Sequence, residues 1–243
     1  MPSHGHSMML VAAQASLVCG LVFCFATPWP RQAQEKQTPD PRIAPLDPYL
    51  MPDRNAEMAL ARSAAPDSIS QNAEVEVLGR NGYELAVKGT NGFVCLVERG
   101  WMGSLASIHG YGNPKIRGAV CFNPPAARSI LPILYMRTKW VLAGLSKEQI
   151  IEKTKVAYAN RELPALELGA MCYMMSKHAY LTDADDHNVA HLMFYTLHGA
   201  DWGADLPKSP VHLNPQFKDN PEPIDVFMVF TGMWSDGTPA PAM

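Results

Sequence analysis

Between residues 74 and 98 the chain alternates short apolar runs with glycine-bearing turns. The runs 74–78, 83–88 and 93–98 are rich in Val, Leu, Tyr and Phe and read as strands. Arg80-Asn81-Gly82 separates the first two, and Asn-Gly favours the positive φ of a hairpin turn. Gly89-Thr90-Asn91-Gly92 separates the second and third, so the spacing predicts a three-stranded meander. Phe93-Val94-Cys95-Leu96-Val97 is apolar at every position, as in a strand covered on both faces.

Upstream, Asp53 is placed to cap a helix to about Ala64. Ala56, Ala59, Leu60 and Ser63 would share one side, and Pro66 would end it. Residues 99–123 carry Gly, Asn and Pro and read as a long loop. Asn123 can then cap a helix that starts at Pro124-Pro125. Ile130, Ile133, Leu134 and Val141 form its inward stripe. Pro132 is expected to kink or split it and Gly144 to stop it. Ser146 and Gln149 have capping-box spacing for a further helix. That helix turns Ile150, Ile151, Thr154, Ala157 and Tyr158 inward and leaves Lys147, Glu148, Glu152 and Lys155 solvated. Strands at 170–176, 191–196 and 224–230 close the chain. The order α-βββ-αα-βββ predicts an α+β fold: an antiparallel sheet of about six strands in two meanders, with helices packed on one face.

The first thirty residues differ from the rest. They contain no Lys, Arg, Asp or Glu, and 8–26 is apolar apart from Gln14, Ser16 and Gly20. This reads as a signal peptide over 1–26, with small residues at Cys24 and Ala26 suited to cleavage after Ala26. An uncleaved anchor is the alternative, since the run approaches the length of a membrane span. Pro28, Pro30, Pro39, Pro41, Pro45, Pro48 and Pro52 make 27–52 an expected Pro-rich tether. Residues 53–243 are then expected to form a single α+β domain, with the protein exported to the periplasm or secreted.

Composition narrows the function classes. At 47% apolar and 18% charged, the chain can bury a substantial core. A net charge of −3 speaks against a nucleic-acid partner, and membrane contact is expected only through a retained leader. Export also changes the cysteine reading. Cys19 and Cys24 leave with the leader, while Cys95, Cys121 and Cys172 enter an oxidising compartment. Cys95 ends a strand-like run and Cys121 follows a loop, so these two are the expected disulfide. Three buried, reduced cysteines are the alternative.

Several stretches resemble a group of uncharacterised exported bacterial proteins: GYELAVKGTNGFVCLVERGW (82–101), NPKIRGAVCFNPPAARSILP (113–132), GAMCYMMSKHAYL (169–181), HLMFY (191–195) and WSDGTPA (234–240). The resemblance implies export from a bacterial cell and a single domain. It carries no functional residues over.

Four constellations could hold chemistry. Asp183, Asp185, His187 and His191 offer carboxylates and imidazoles suited to Zn²⁺. His187 and His191 converge only if the intervening residues curl, because four strand residues span about 13 Å. A solvated acidic turn is the plainer reading. Met171, Cys172, Met174, Met175, His191 and Met193 are soft ligands suited to Cu(I), but they are also what a core strand contains. Cys172 with His191 or His178 and Asp225 could form a nucleophilic triad, yet nothing places Cys172 at a helix N-terminus. Trp101, His109, Tyr111 and Arg117, with Lys115, could bind a glycan, peptide or anion on the 101–123 loop. The alternative is a loop whose aromatics lie on the core. Gly-x-Gly-x-x-Gly, Walker A, nucleophile-elbow and HExxH patterns do not occur. The expected function is thus a non-enzymatic binding or structural module without a cofactor. The runner-up is a metal-dependent hydrolase-like enzyme using the 183–191 cluster with Zn²⁺.

Overall fold

A computed structural model describes residues 40–241 apart from 44, 106–109, 184–187, 205, 215–216 and 218–219. The expected leader and most of the expected tether lie outside the described residues, as do Asp185, His187 and His109.

The fold is α+β, with five α-helices and one mixed sheet of eight strands among the described residues. Helix α1 is Arg54–Arg62, and the Asp53 carboxylate caps it by accepting the Asn55 N–H at 2.8 Å. A single turn, α2 (Asp67–Ser70), leads into the hairpin β1 (Glu74–Gly79) and β2 (Gly82–Val87). Gly79 pairs with Gly82, so Arg80-Asn81 forms the two-residue turn and Gly82 supplies the positive φ.

Strand β3 (Val94–Glu98) departs from the expected meander. It does not pair with β2 but crosses to the far side of β1 and runs parallel to it, with Val75 beside Cys95. The crossing is held by Glu74 N–H donating to Phe93 O (2.8 Å) and Thr90 N–H donating to Asn72 O (2.8 Å). It requires glycine at position 89, where a Cβ would lie 2.1 Å from the Glu74 nitrogen.

Strand β4 (Gly118–Phe122) occupies the end of the expected loop and pairs antiparallel with β3. All five of its residues are buried, so it shows no polar face to reveal a period of two. Asn123 caps α3 (Pro124–Ser129), and the chain breaks at Ile130 before α4 (Leu131–Leu142), the split expected from Pro132. Helix α5 (Lys147–Ala159) opens on the expected Ser146/Gln149 capping box. Strands β5 (Met171–Met174), β6 (His191–Leu197), β7 (Val211–Leu213) and β8 (Ile224–Phe230) complete the order β2-β1-β3-β4-β5-β6-β8-β7. The expectation of about six antiparallel strands therefore gives way to eight in a mixed sheet. β4 and the three-residue β7 are the additions.

The helices also lie on both faces of the sheet rather than one. Side chains alternate across each strand. On one face, Ala61, Ala64 and Ala65 of α1 and its extension pack on Val75, Cys95, Val97, Ala119 and Cys121. Their small side chains let the helix sit close to the strands. On the other face, α3 and α4 cover Leu96, Val120, Phe122, Cys172 and Met174. Cys95 and Cys121 are directly opposite each other on β3 and β4, fully buried, and joined by a disulfide.

The last part of the expected tether, from residue 40, is seated on this body. Tyr49 ends a short 3-10 turn and is fully buried, stacked edge-on against Trp101 with its hydroxyl donating to Gly112 O at 2.6 Å. Arg99 is also fully buried; it donates to Tyr49 O (2.7 Å) and to the Glu57 carboxylate (2.7 Å). The proline-rich composition suits an extended path, and that path is fastened by hydrogen bonds and one aromatic anchor.

Candidate functional site

On the face of the sheet that α4 covers, a cavity of about 400 Å³ opens between helix and strands. Ile130, Ile133 and Leu134 line it from the helices, and Met174, Met193 and Met228 from the strands. The inward stripe predicted for the 124–143 helix accounts for the first three. The alternation of β5, β6 and β8 accounts for the others. The segment 99–104 borders the cavity and is held there by Arg137 of α4. Its guanidinium donates to the carbonyl oxygens of Met102 (3.0 Å) and Gly103 (2.6 Å) and to the Glu222 carboxylate. Arg137 and Glu222 are both almost wholly buried, at 2% and 3% exposure.

Polar groups in this apolar setting are unevenly satisfied. Among the described residues, Glu222 Oε2 and Arg137 Nε are buried without a hydrogen-bond partner. Glu98 lies on the cavity side of β3, in step with Leu96, and lines the cavity without a hydrogen bond among the described residues. Loss of solvent pushes its carboxyl up to about 7, with the Arg137 charge pulling weakly the other way. His191 opens β6 and is buried. Its Nδ1–H donates to Val189 O at 2.7 Å, which leaves Nε2 as an acceptor on the neutral ring. Burial lowers its pKa and so favours that neutral form. Glu98 and His191 stand three strand spacings apart, about 14 Å. They therefore border different parts of the cavity and do not form an acid–base pair.

Two other hollows differ in kind. One of about 430 Å³ lies beside Ile43, Leu46 and Tyr49; its acid, Asp40, is satisfied by Arg42 and by the Lys147 N–H. Another of about 600 Å³ lies between α3, the end of α5 and residues 163–166, and no carboxylate is among the described residues that line it.

The residues singled out from sequence are dispersed. Asp183 is exposed and accepts hydrogen bonds from Lys115 (3.0 Å) and Asn113 (2.6 Å), while His191 turns into the core. Asp185 and His187 are outside the described residues, and among the described residues no three His, Cys, Asp or Glu side chains group to hold a metal ion. Cys172, Met174 and Met193 share the cavity face. The Cys172 sulfur contacts the Tyr195 hydroxyl at 3.3 Å, and burial raises its pKa far from thiolate formation at neutral pH. Asp225 instead holds His198 (2.9 Å) and the Gly199 N–H (2.9 Å), and His178 is exposed, so the Cys172 triad weighed from sequence is not assembled.

Among the described residues of 101–123, Trp101, Tyr111 and Arg117 contact the core and the N-terminal segment, and His109 lies outside them. Trp101 is fully buried, with its indole N–H donating to Thr138 Oγ1 at 3.1 Å. Tyr111 lies under Arg42 and Lys147. Arg117 donates to Pro114 O (2.7 Å), Ile116 O (2.8 Å) and Pro48 O (3.0 Å). An aromatic on a loop packs inward when its ring has apolar neighbours to meet, and Trp101 has Tyr49.

Sequence patterns alone pass over Glu98, Arg137 and Glu222. A signal for Arg137 is present: it falls between Leu134 and Val141 on the inward stripe, where a charge needs a buried partner. Glu98 likewise continues the side of β3 that carries Val94 and Leu96. Glu222, between two prolines, carries no such mark.

No protein-family model, curated protein or solved structure matches this chain.

Proposed function

We propose that this chain is an exported binding module that holds a small hydrophobic molecule between its sheet and helix α4. The observation that carries the reading is the 400 Å³ cavity with its methionine-rich wall and its unsatisfied buried polar atoms. Ligand pockets of roughly 300–1,000 Å³ combine an apolar lining with a few polar groups that orient the guest. Unbranched, polarisable methionines adapt their shape to a ligand. The Cys95–Cys121 disulfide supports export, since such bridges persist in oxidising compartments. The charge-free apolar leader and the resemblance to exported bacterial proteins support it further.

The test is titration with the neutral fluorophore N-phenyl-1-naphthylamine, which brightens in apolar surroundings. Saturable binding at one site per chain is expected. Met228→Trp and Leu181→Trp, each filling the cavity from a different wall, should abolish it while keeping the native circular dichroism. A wild-type chain that gives no saturable signal, or two folded variants that bind as tightly as wild type, would falsify the reading.

A further inference from the structure

We infer that the ligand of this cavity is a hydrophobic amine, bound with its protonated nitrogen toward the Glu98 carboxylate. The inference rests on the binding reading and goes beyond it by naming the ligand's polar chemistry.

Donors, acceptors and charges around this one volume do not balance. Two carboxylates among the described residues line the cavity, Glu98 and Glu222, and both lie near Arg137. Arg137 gives its Nη hydrogens to Glu222 and to carbonyl oxygens, so of its nitrogens Nε remains as the free donor. The other lining guanidinium, Arg99, is committed to Glu57 and to the carbonyls of Val97 and Tyr49. No lysine is among the described residues that line the cavity. On the acceptor side, among the described residues Glu98 makes no hydrogen bond, Glu222 Oε2 has no partner, and the Nδ1–H bond to Val189 O leaves His191 Nε2 as an acceptor. Among the charged side chains of the described lining residues, unpaired acceptors thus outnumber unpaired donors, and Glu98 has no ion-pair partner.

A guest that completes such a site brings donors and a positive charge. A carboxylic acid would add a third anionic group beside Glu98 and Glu222. An alcohol brings one donor and no charge. A primary ammonium brings three donors on a point charge, and hydrogen bonds between charged partners are roughly twice as strong as neutral ones. The apolar body is required independently, because Ile130, Ile133, Leu134 and the methionines offer it no polar partner.

The experiment compares three chains of equal length, 1-aminodecane, 1-decanol and decanoic acid, as competitors for bound N-phenyl-1-naphthylamine. All are held below micelle-forming concentrations, at pH 8, on the full disulfide-bonded protein. The amine should displace the fluorophore at a concentration about tenfold below the alcohol, with the acid weakest. In Glu98→Gln the ratio of alcohol to amine concentrations should fall to about threefold or less. Each ratio is taken within one protein, so a change in overall affinity cancels, and the wild-type comparison needs no variant. A fluorophore that does not bind wild type removes the cavity reading and this inference with it. Binding without a preference for the amine, or a preference that Glu98→Gln leaves intact, overturns this inference alone.

Discussion

Arg137→Met removes the one cation that touches Glu222 among the described residues. The guanidinium is 2% exposed and donates to the Met102 and Gly103 carbonyls as well as to the carboxylate. Methionine fills much of the same volume but leaves an uncompensated carboxylate at 3% exposure. Breaking one side of a buried ion pair costs about 3–5 kcal/mol, whereas replacing both partners with apolar groups is often close to neutral. In a domain of this size each kcal/mol moves the melting temperature about 2–4 °C, so a fall of about 6–20 °C is expected. The double variant Arg137→Met/Glu222→Leu should recover most of it. The residual loss reflects the two carbonyls left without a donor, about 1 kcal/mol each. Urea denaturation of wild type, both single variants and the double variant gives the coupling directly. Additive losses, with the double variant as unstable as the sum of the singles, would show that the charges do not compensate each other. Arg137 would then hold its place by packing and carbonyl contacts, and its role as countercharge to Glu222 would be refuted.

Two further outcomes are expected. Cys95→Ser/Cys121→Ser should cost about 3.5 kcal/mol, because the bridge closes a loop across a separation of 26 residues; denaturation with and without reductant measures it, and equal stability in both would remove the bridge as a stabiliser. Glu98 should make stability depend on pH. Its folded-state pKa is raised to about 7 from the ordinary 4.5, so the protonated acid is favoured in the fold, and its contribution is lost as pH rises through that window. The groups around it are Arg137 on α4, Arg99 after β3, Cys172 on β5, Tyr195 on β6, and Glu222. His191, whose pKa is lowered, acts in the opposite sense and costs stability as pH falls below 6.5. Comparing wild type with Glu98→Gln isolates the first effect: the variant should gain on wild type between pH 4.5 and 7, and a flat difference across that range would contradict the burial of the carboxyl.

Local elements are legible wherever a short-range rule governs them. The Ser146/Gln149 box, the Asn123 and Asp53 caps and the break caused by Pro132 follow from hydrogen bonds and ring geometry within a few residues. The pairing of Cys95 with Cys121 is also readable, from the strand-like run that carries Cys95 and the loop expected before Cys121. Strand β4 is not, because five buried residues in GAVCF leave no alternation to detect. Three-residue β7 is too short to show any.

Sequence alone is sufficient for an α+β chain with a coverable third strand, well-capped helices and an inward stripe from Ile130 to Val141. These depend on contacts within a turn or on a repeat of two or 3.6 residues. The fold as a whole decides that β3 runs parallel beside β1, that β8 sits between β6 and β7, and that helices cover both faces. It also brings Glu98, Arg137, His191 and Glu222, drawn from a strand, a helix, a second strand and a loop, around one hollow. Strand order and convergence depend on which distant surfaces bury each other best, a property of the folded whole that no local periodicity encodes.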